Sequence, residues 1–175
     1  NVVAPQDVMK EFGADILRLW VSSCDYQYDV RLSKEILNQL AEAYRKIRNT
    51  FRYLLGNLCD FDPEKDKLSS DGLHPWDQWA LTRTESIIAN IESRYDSFEF
   101  HKIYQLVYIF CVNELSGYYF DGLKDCLYTF RKDSQRRRSA QTALFYILES
   151  LVKTLAPILP FTMDEVWTCL PVEKG

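Results

Sequence analysis

Apolar residues recur at three- and four-residue steps along most of the chain, a spacing that predicts buried helix faces. The clearest example is a single stripe between Asn38 and Leu58, which predicts one long helix. The stripe comprises Leu40, Tyr44, Ile47, Phe51, Leu54, Leu55 and Leu58. Ser33 is suited to be the N-cap of this helix and Gly56 to be its C-cap, so we expect it to extend from residue 33 to residue 56.

The same spacing predicts helices before and after this one. Their ranges are 6–12, 15–23, 75–95, 97–115, 134–156 and 162–169. Pro5 and Gly13 bracket the first, and Thr162 with Glu165 forms a capping-box pattern for the last. The helix that begins near residue 97 is apolar almost all round, its pattern continues to Leu127, and we expect it at the centre of a bundle. No strand pattern competes. The sequence therefore predicts an all-α fold, an antiparallel bundle of four long helices behind a small, mostly helical N-terminal module.

With 175 residues and 47% hydrophobic content, the chain has enough material for one substantial core. It begins with Asn1 rather than methionine and ends at Gly175 without a stop signal. We therefore expect both ends to be internal to a longer polypeptide.

Charge is segregated along the chain. The net charge of −4 excludes a protein that coats nucleic acid generally, so any such contact must come from a local patch. Residues 1–30 carry two basic and five acidic residues, and residues 60–77 carry two basic and six acidic residues. Residues 31–58, in contrast, carry six basic and two acidic residues. The long helix thus lies in the basic segment.

Four basic residues and one asparagine of this helix form a second surface, which we call the ridge. Its members are Arg45, Lys46, Arg48, Asn49 and Arg52. All except Lys46 fall within an arc of roughly 100°, about 120° away from the apolar stripe. Only Glu35 and Glu42 accompany them, and a row of unneutralised guanidinium groups suits phosphate oxygens. The alternative is a solvated face with local ion pairs.

A second basic cluster precedes and opens the helix predicted at 134–156. It consists of Arg131, Lys132, Arg136, Arg137 and Arg138, with Asp133 as the one acidic residue among them. Three of these lie in the first turns of the helix, where the macrodipole disfavours cations by a few tenths of a kcal/mol each. This cost is tolerated in solvent, so the cluster is either a secondary RNA contact or an indifferent surface.

The motifs of several function classes are missing from the sequence. There is no Gly-rich phosphate loop, no G-x-S-x-G and no H-E-x-x-H, so we expect no catalytic residues here. The five cysteines are far apart and form no C-x-x-C pair, and His74 and His101 stand alone, so we expect reduced thiols and no metal site. No apolar run is long enough for a membrane span.

Several stretches together resemble one family. They are GADILRLWVSS, DYQYDVR, YRKIRNTFRYLLGNLCDFDP, FEFHKIYQ, CVNELSGYYFDGLKDCLYT, RRSAQTALFYILESL and LAPILPFTMDEVW. They make the chain similar, along essentially its whole length, to the bacterial isoleucyl-tRNA synthetases, which are class I enzymes. The enzymes for valine, leucine and methionine share GAD-x-x-R and LAPILPF-like elements but not RKIRNT-x-R-x-LLGNL. The pair Asp164-Glu165 is a minor departure from the family pattern.

The resemblance implies two domains. Residues 1–32 correspond to a stem-contact module that follows the KMSKS loop, and residues 33–175 to the anticodon-binding helical bundle. The catalytic domain, the editing domain and a zinc-carrying C-terminal tail lie outside the sequence. The full-length parent implied is a cytoplasmic ligase that attaches isoleucine to its tRNA with ATP and Mg²⁺, whereas this part contains no cofactor.

The resemblance also implies a partner for the ridge. The ridge cations would bind phosphates of the anticodon stem-loop of isoleucine tRNA, and Asn49 would bond to an unstacked base edge. Other partners would be the missing domains of the same chain; we expect a monomer and no membrane contact. Two alternatives stay open: a purely structural bundle between domains, and the corresponding domain of a sister synthetase.

Overall fold

The structure, a computed structural model, describes residues 4–171, and within this range it contains helices, turns and loops but no strand. The helices are α1 Pro5–Phe12, α2 Ala14–Ser23, α3 Lys34–Gly56, α4 Pro75–Asp96, α5 Phe100–Ile109, a π-helical segment Phe110–Tyr119, α6 Phe120–Thr129, α7 Gln135–Leu155 and α8 Pro160–Thr168. A 3₁₀ turn at Ser70–Gly72 interrupts the long loop between α3 and α4. The all-α prediction is confirmed.

Four long helices form the bundle: α3, α4, the continuous run from α5 through α6, and α7. Helix α7 is buried along much of its length, because it packs against α3, α4, α6 and α8. Its core face is almost completely removed from solvent: Ala140, Ala143, Leu144, Ile147, Leu148 and Leu151. A helix surrounded in this way by apolar neighbours is stabilised mainly by packing rather than by intrinsic propensity.

The helix expected at the centre of the bundle, which we call the central helix, continues beyond residue 115, as its pattern through Leu127 indicates, and it is less regular than an α-helix. It runs from Phe100 to Thr129, and its middle third has the wide turn of a π-helix. There the Cys111 carbonyl accepts hydrogen bonds from the Ser116 hydroxyl, at 2.7 Å, and from the Thr50 hydroxyl, at 3.3 Å. Side chains therefore satisfy the backbone at this site, one of the recognised ways in which a helix absorbs a local distortion.

Gly122 in α6 allows the central helix to approach α4 closely. A Cβ atom at this position would lie 3.2–3.3 Å from the indole ring of Trp76. That distance is tighter than an ordinary van der Waals contact, and the ring would have to shift. The glycine is thus explained by packing.

The front module, α1 and α2, packs directly on the bundle. Helix α2 contacts α3, α5 and α8, and Leu19 belongs to the main core. A corner at Gly13, whose φ of +88° suits glycine, separates the two short helices. The apolar side of α2 is therefore covered by the chain itself. The boundary between residues 32 and 33 stays a prediction.

Arg18 of α2 fastens the module to the far end of α7. Its guanidinium group donates to the carbonyl oxygens of Pro157, at 2.6 Å, and Ile158, at 3.1 Å. These carbonyls follow the last turn of α7, where backbone acceptors lack partners within the helix. Arg18 thus completes a helix end that is distant in sequence.

Two predicted caps were wrong. Thr162 does not open α8, which begins at Pro160. Instead, its backbone N–H donates to Asp15 Oδ2 at 2.7 Å, and its hydroxyl donates to the same oxygen. Gly56 is the last residue of α3, and Asn57 is the cap, in the right-handed helical region. At Thr162, the Asp15 carboxylate of α2 takes the place of the Glu165 side chain as the acceptor for the backbone N–H, which is the role of the glutamate in a capping box.

Candidate nucleic-acid interface

The interface is built on α3, whose start is fixed locally. The Ser33 hydroxyl accepts a hydrogen bond from the Ile36 backbone N–H, which is the expected N-cap contact. From there the helix runs for 23 residues, with Ile47, Phe51 and Leu54 buried in the main core. Because this apolar stripe is fixed against the bundle, the opposite side of α3 is held toward solvent.

All five ridge residues are exposed: Arg45, Lys46, Arg48, Asn49 and Arg52. Arg45 and Asn49 point most directly away from the buried face of α3, Arg52 lies close beside them, and Arg48 and Lys46 lean toward neighbouring helices. Arg48 lies on the side of α8, since it contacts Glu165 there. Lys46 lies on the side of α5, where its ammonium group donates to the Tyr108 hydroxyl at 3.1 Å. The structure thus brings the predicted residues together on one surface.

The ridge has more counter-charge than the helix sequence indicates. Arg45 pairs with Glu42 one turn earlier, and Arg48 Nη2 lies 3.4 Å from Glu165 Oε1 on α8. Within residues 4–171, Arg52 has no ion pair. Both pairs are largely exposed, and such pairs contribute only about 0–1 kcal/mol. A phosphate group therefore meets little resistance in displacing the carboxylates.

The second basic cluster divides into two parts. Arg131 and Lys132 are exposed, and Arg131 pairs only with its neighbour Asp133. Arg136, Arg137 and Arg138 are mostly buried, with side chains 22%, 11% and 15% exposed. Arg131 and Lys132 are therefore accessible to a ligand without rearrangement, and the three arginines of α7 are not.

The three buried arginines have acidic partners that are distant in sequence, in addition to Asp133 within the cluster. Arg136 binds Asp77 at 2.5 Å, Arg137 binds Asp60 at 2.6 Å, and Arg138 lies 3.3 Å from Asp66. These carboxylates belong to the first turn of α4 and to the loop after α3, far away in sequence. The three guanidinium groups therefore join α7 to the rest of the bundle.

The Asp60–Arg137 pair makes fold stability depend on pH. The Arg137 guanidinium lowers the pKa of Asp60 from its ordinary 3.8 to about 2. A depressed carboxyl pKa adds stability above the unfolded-state value, here on the order of 2 kcal/mol, and that stability is lost as pH falls from 3.8 toward about 2.

We expect Asp60→Asn to lower the free energy of unfolding more at pH 6 than at pH 2.5. The depressed pKa contributes its full stability at pH 6, whereas pH 2.5 lies between the unfolded value of 3.8 and the folded value of about 2, where most of that stability is lost. Urea unfolding of both proteins at the two pH values measures the difference. Asp133→Asn is the matched control, since Asp133 pairs with an arginine in solvent. An equal loss at both pH values would contradict the assignment.

Tyr108 and Glu165, the residues that flank the ridge, were missed by sequence reasoning. They lie 62 and 117 residues from their partners Lys46 and Arg48. Tyr108 belongs to the nearly all-apolar stretch of the central helix, where it is indistinguishable from a core residue. No local pattern points to either, because the contacts arise only when α5 and α8 pack beside α3.

The donor set for a metal ion was also tested. Among residues 4–171, no three His, Cys, Asp or Glu side chains lie close enough together to hold one. The five cysteines are all free thiols, and burial raises the pKa of Cys111 to about 12. A zinc ion therefore does not fit the described part of this chain.

No helix in that part is long and apolar enough to cross a membrane.

Comparison with known proteins supplies the final observation. Residues 77–174 match the family model described as the anticodon-binding domain of tRNA ligase. Over 99% of its length the chain is 53% identical to isoleucine–tRNA ligases of Natranaerobius thermophilus and Halorhodospira halophila. Over its whole length it is 50% identical to the isoleucine–tRNA ligase of Syntrophotalea carbinolica. The chain spans only 18–19% of the length of these curated relatives.

Proposed function

Because the chain belongs to the family of tRNA ligase anticodon-binding domains, we propose that it holds the anticodon stem-loop of isoleucine tRNA within a longer isoleucine–tRNA ligase. The observation that carries this proposal is the exposed ridge of α3, where four cations and an amide share one surface. Arginine binds phosphate through a planar, two-pronged fork, and single-stranded loops are the usual targets of sequence-specific RNA recognition.

The proposed roles follow from position. Arg45 and Arg52 bind phosphates, Arg48 exchanges Glu165 for a phosphate oxygen, and Lys46 adds charge on the α5 side. Asn49 is the group that bonds to a base edge, because an amide both donates and accepts. Arg131 and Lys132 remain proposed secondary contacts, whereas the tertiary ion pairs of Arg136–Arg138 favour a structural role for those three residues.

The longer enzyme is itself a proposal. It would attach isoleucine to its tRNA with ATP and Mg²⁺. Its zinc would be held outside residues 4–171, because the donors within this range do not fit a zinc ion. We propose a monomer in the cytoplasm, and the five free thiols are typical of a reducing compartment. A sister synthetase is the weaker candidate, since the relatives quoted above are all isoleucine enzymes.

Footprinting of isoleucine tRNA tests this function. We expect the chain to protect the anticodon stem-loop from hydroxyl radicals and to leave the acceptor stem unprotected, because ridge cations contact phosphates and sugars locally. Valine tRNA is the specificity control, and protection of both tRNAs alike would indicate binding without discrimination. Protection confined to the acceptor stem, or no protection at protein concentrations that saturate a binding isotherm, would contradict the proposal.

A further inference from the structure

The two long sides of the ridge differ in charge. On the α8 side lies the exposed carboxylate of Glu165, which contacts Arg48. On the other side, the ten residues of α5 include no acidic side chain. On this side Lys46 adds a cation, and the one carboxylate of α3 there, Glu42, is paired with Arg45. A polyanion that lies along the ridge is therefore repelled by Glu165 on the α8 side and meets Lys46 and the uncharged side chains of α5 on the other. The α5 side is where the unpaired part of an RNA loop would lie.

The aromatic residue that borders the ridge on this side is Tyr108. The Lys46 ammonium lies 3.1 Å from its hydroxyl oxygen but 5.7 Å from its ring centroid. The ammonium group therefore lies beyond the hydroxyl and does not cover a face of the ring. The neighbouring ring of Tyr104 is 6.3 Å away and tilted by 38°, so it supports Tyr108 without stacking flat on it.

The position of Tyr108 relative to the ridge is fixed from below. The π-helical segment begins two residues later, at Phe110, and the buried Thr50 of α3 holds it. The Thr50 hydroxyl lies 3.3 Å from the Cys111 carbonyl and 3.2 Å from the Ser116 hydroxyl. Departures of this kind from α-helical geometry are frequent at functional sites. Thr50 thus fixes the position of α3 relative to the helix that carries Tyr108.

Other aromatic side chains near α3 fit the role less well. Tyr53 is already stacked on Phe120, with ring centroids 4.2 Å apart. Phe161 is 65% exposed, but it lies on α8, one turn before Glu165 and on the acidic side of the ridge. Tyr108 combines a partly buried ring, a hydroxyl held by a hydrogen bond and a neighbouring cation, Lys46.

We propose that Tyr108 is a stacking platform for one unpaired nucleobase of an RNA loop whose backbone lies on the ridge. This inference rests on the proposed function, and it adds a base-binding position that phosphate contacts alone do not provide. Lys46 orients the ring by holding its hydroxyl, and the base stacks on an open face. Stacking of this kind tolerates different bases, because every base presents a π-face.

The test measures binding of an isoleucine anticodon stem-loop to the 175-residue chain by fluorescence anisotropy. We expect Tyr108→Leu to weaken binding about tenfold, the loss typical of one base–aromatic stack, with an unchanged salt slope. Tyr108→Phe keeps the ring and should bind within about threefold of wild type. Tyr146→Leu, an exposed tyrosine on α7, is the matched control and should have no effect.

A second RNA and a second readout keep the outcome decisive. A blunt-ended RNA duplex with the stem sequence, which has no unpaired bases, should bind wild type and Tyr108→Leu equally. With 2-aminopurine in the loop, wild type should quench its fluorescence by stacking, and Tyr108→Leu should not. Equal stem-loop affinities, or equal quenching, would overturn the stacking role and leave the proposed function intact. Equal weakening on both RNAs would also overturn it, while no binding by wild type would reject the proposed function itself.

Discussion

Replacement of Asp77 by alanine is expected to lower the free energy of unfolding by roughly 3–5 kcal/mol, the range typical when one partner of a buried ion pair is removed. Asp77 is fully buried in the first turn of α4. Its carboxylate accepts from Tyr119 at 2.7 Å, from Ser139 at 2.5 Å and from Arg136 at 2.5 Å. One side chain thus connects α4, the π-helical segment and α7.

The size of this effect follows from what the substitution leaves behind. The Tyr119 hydroxyl becomes a buried donor without an acceptor, at a cost of about 1–3 kcal/mol. Burial, together with the Asp77 carboxylate, raises the pKa of Tyr119 well above its ordinary value, so the hydroxyl is a proton donor throughout the accessible pH range. Arg136 loses its partner while its side chain is only 22% exposed.

Urea unfolding of Asp77→Ala, followed by circular dichroism, measures this loss. Asp77→Asn should be less destabilising, because its carbonyl oxygen still accepts from some of the donors. Asp71→Ala is the matched control: Asp71 is exposed, six residues away in the 3₁₀ turn, and should change stability by less than about 0.5 kcal/mol. A loss below about 1 kcal/mol for Asp77→Ala would show that the network is not a structural connection.

Sequence predicted most of this fold because the signals for helices are local. The spacing of Ile47, Phe51 and Leu54 determines which side of α3 is buried, and Ser33 caps the helix with a group only three residues away. The same spacing placed Arg45 and Arg52 on the opposite side, so the ridge was predicted together with the helix. Periodicity determines on which side of a helix each side chain lies, whichever neighbours the helix packs against.

The structural features that the sequence did not predict depend on contacts between residues that are distant in sequence. Arg136 meets Asp77 across 59 residues, and Thr162 meets Asp15 across 147. No pattern within one helix distinguishes an arginine that will bind a buried carboxylate from one that will remain in solvent. The π-helical segment was missed for a related reason, since its Cys111 carbonyl depends on Thr50 of another helix.

The triple substitution of Arg45, Arg48 and Arg52 by glutamine is expected to weaken stem-loop binding on the order of 100-fold at low salt. Each phosphate contact releases bound counterions and contributes roughly 0.7–0.9 to the slope of log affinity against log salt concentration. Loss of three contacts should therefore flatten the slope by about 2–3. Among single variants, Arg52→Gln should have the largest effect, because no ion pair within residues 4–171 competes for Arg52.

Affinity measured from low to high salt, for wild type and the triple variant, gives both quantities. The matched control replaces three exposed lysines remote from the ridge by glutamine: Lys65, Lys124 and Lys153. It changes the net charge by the same amount, so any effect of overall charge appears in both proteins. Only the ridge variant should lose slope, because counterion release requires direct phosphate contacts.

The same pair of variants separates RNA binding from the structural alternative, in which the ridge docks on another domain. If the ridge binds RNA, the triple variant loses affinity and slope while its unfolding free energy changes little, since the three arginines are exposed. If the ridge is an interdomain surface, affinity and slope remain at wild-type values. In that case the substitutions would instead reduce association of this chain with the remainder of the ligase, and the ridge assignment would be withdrawn.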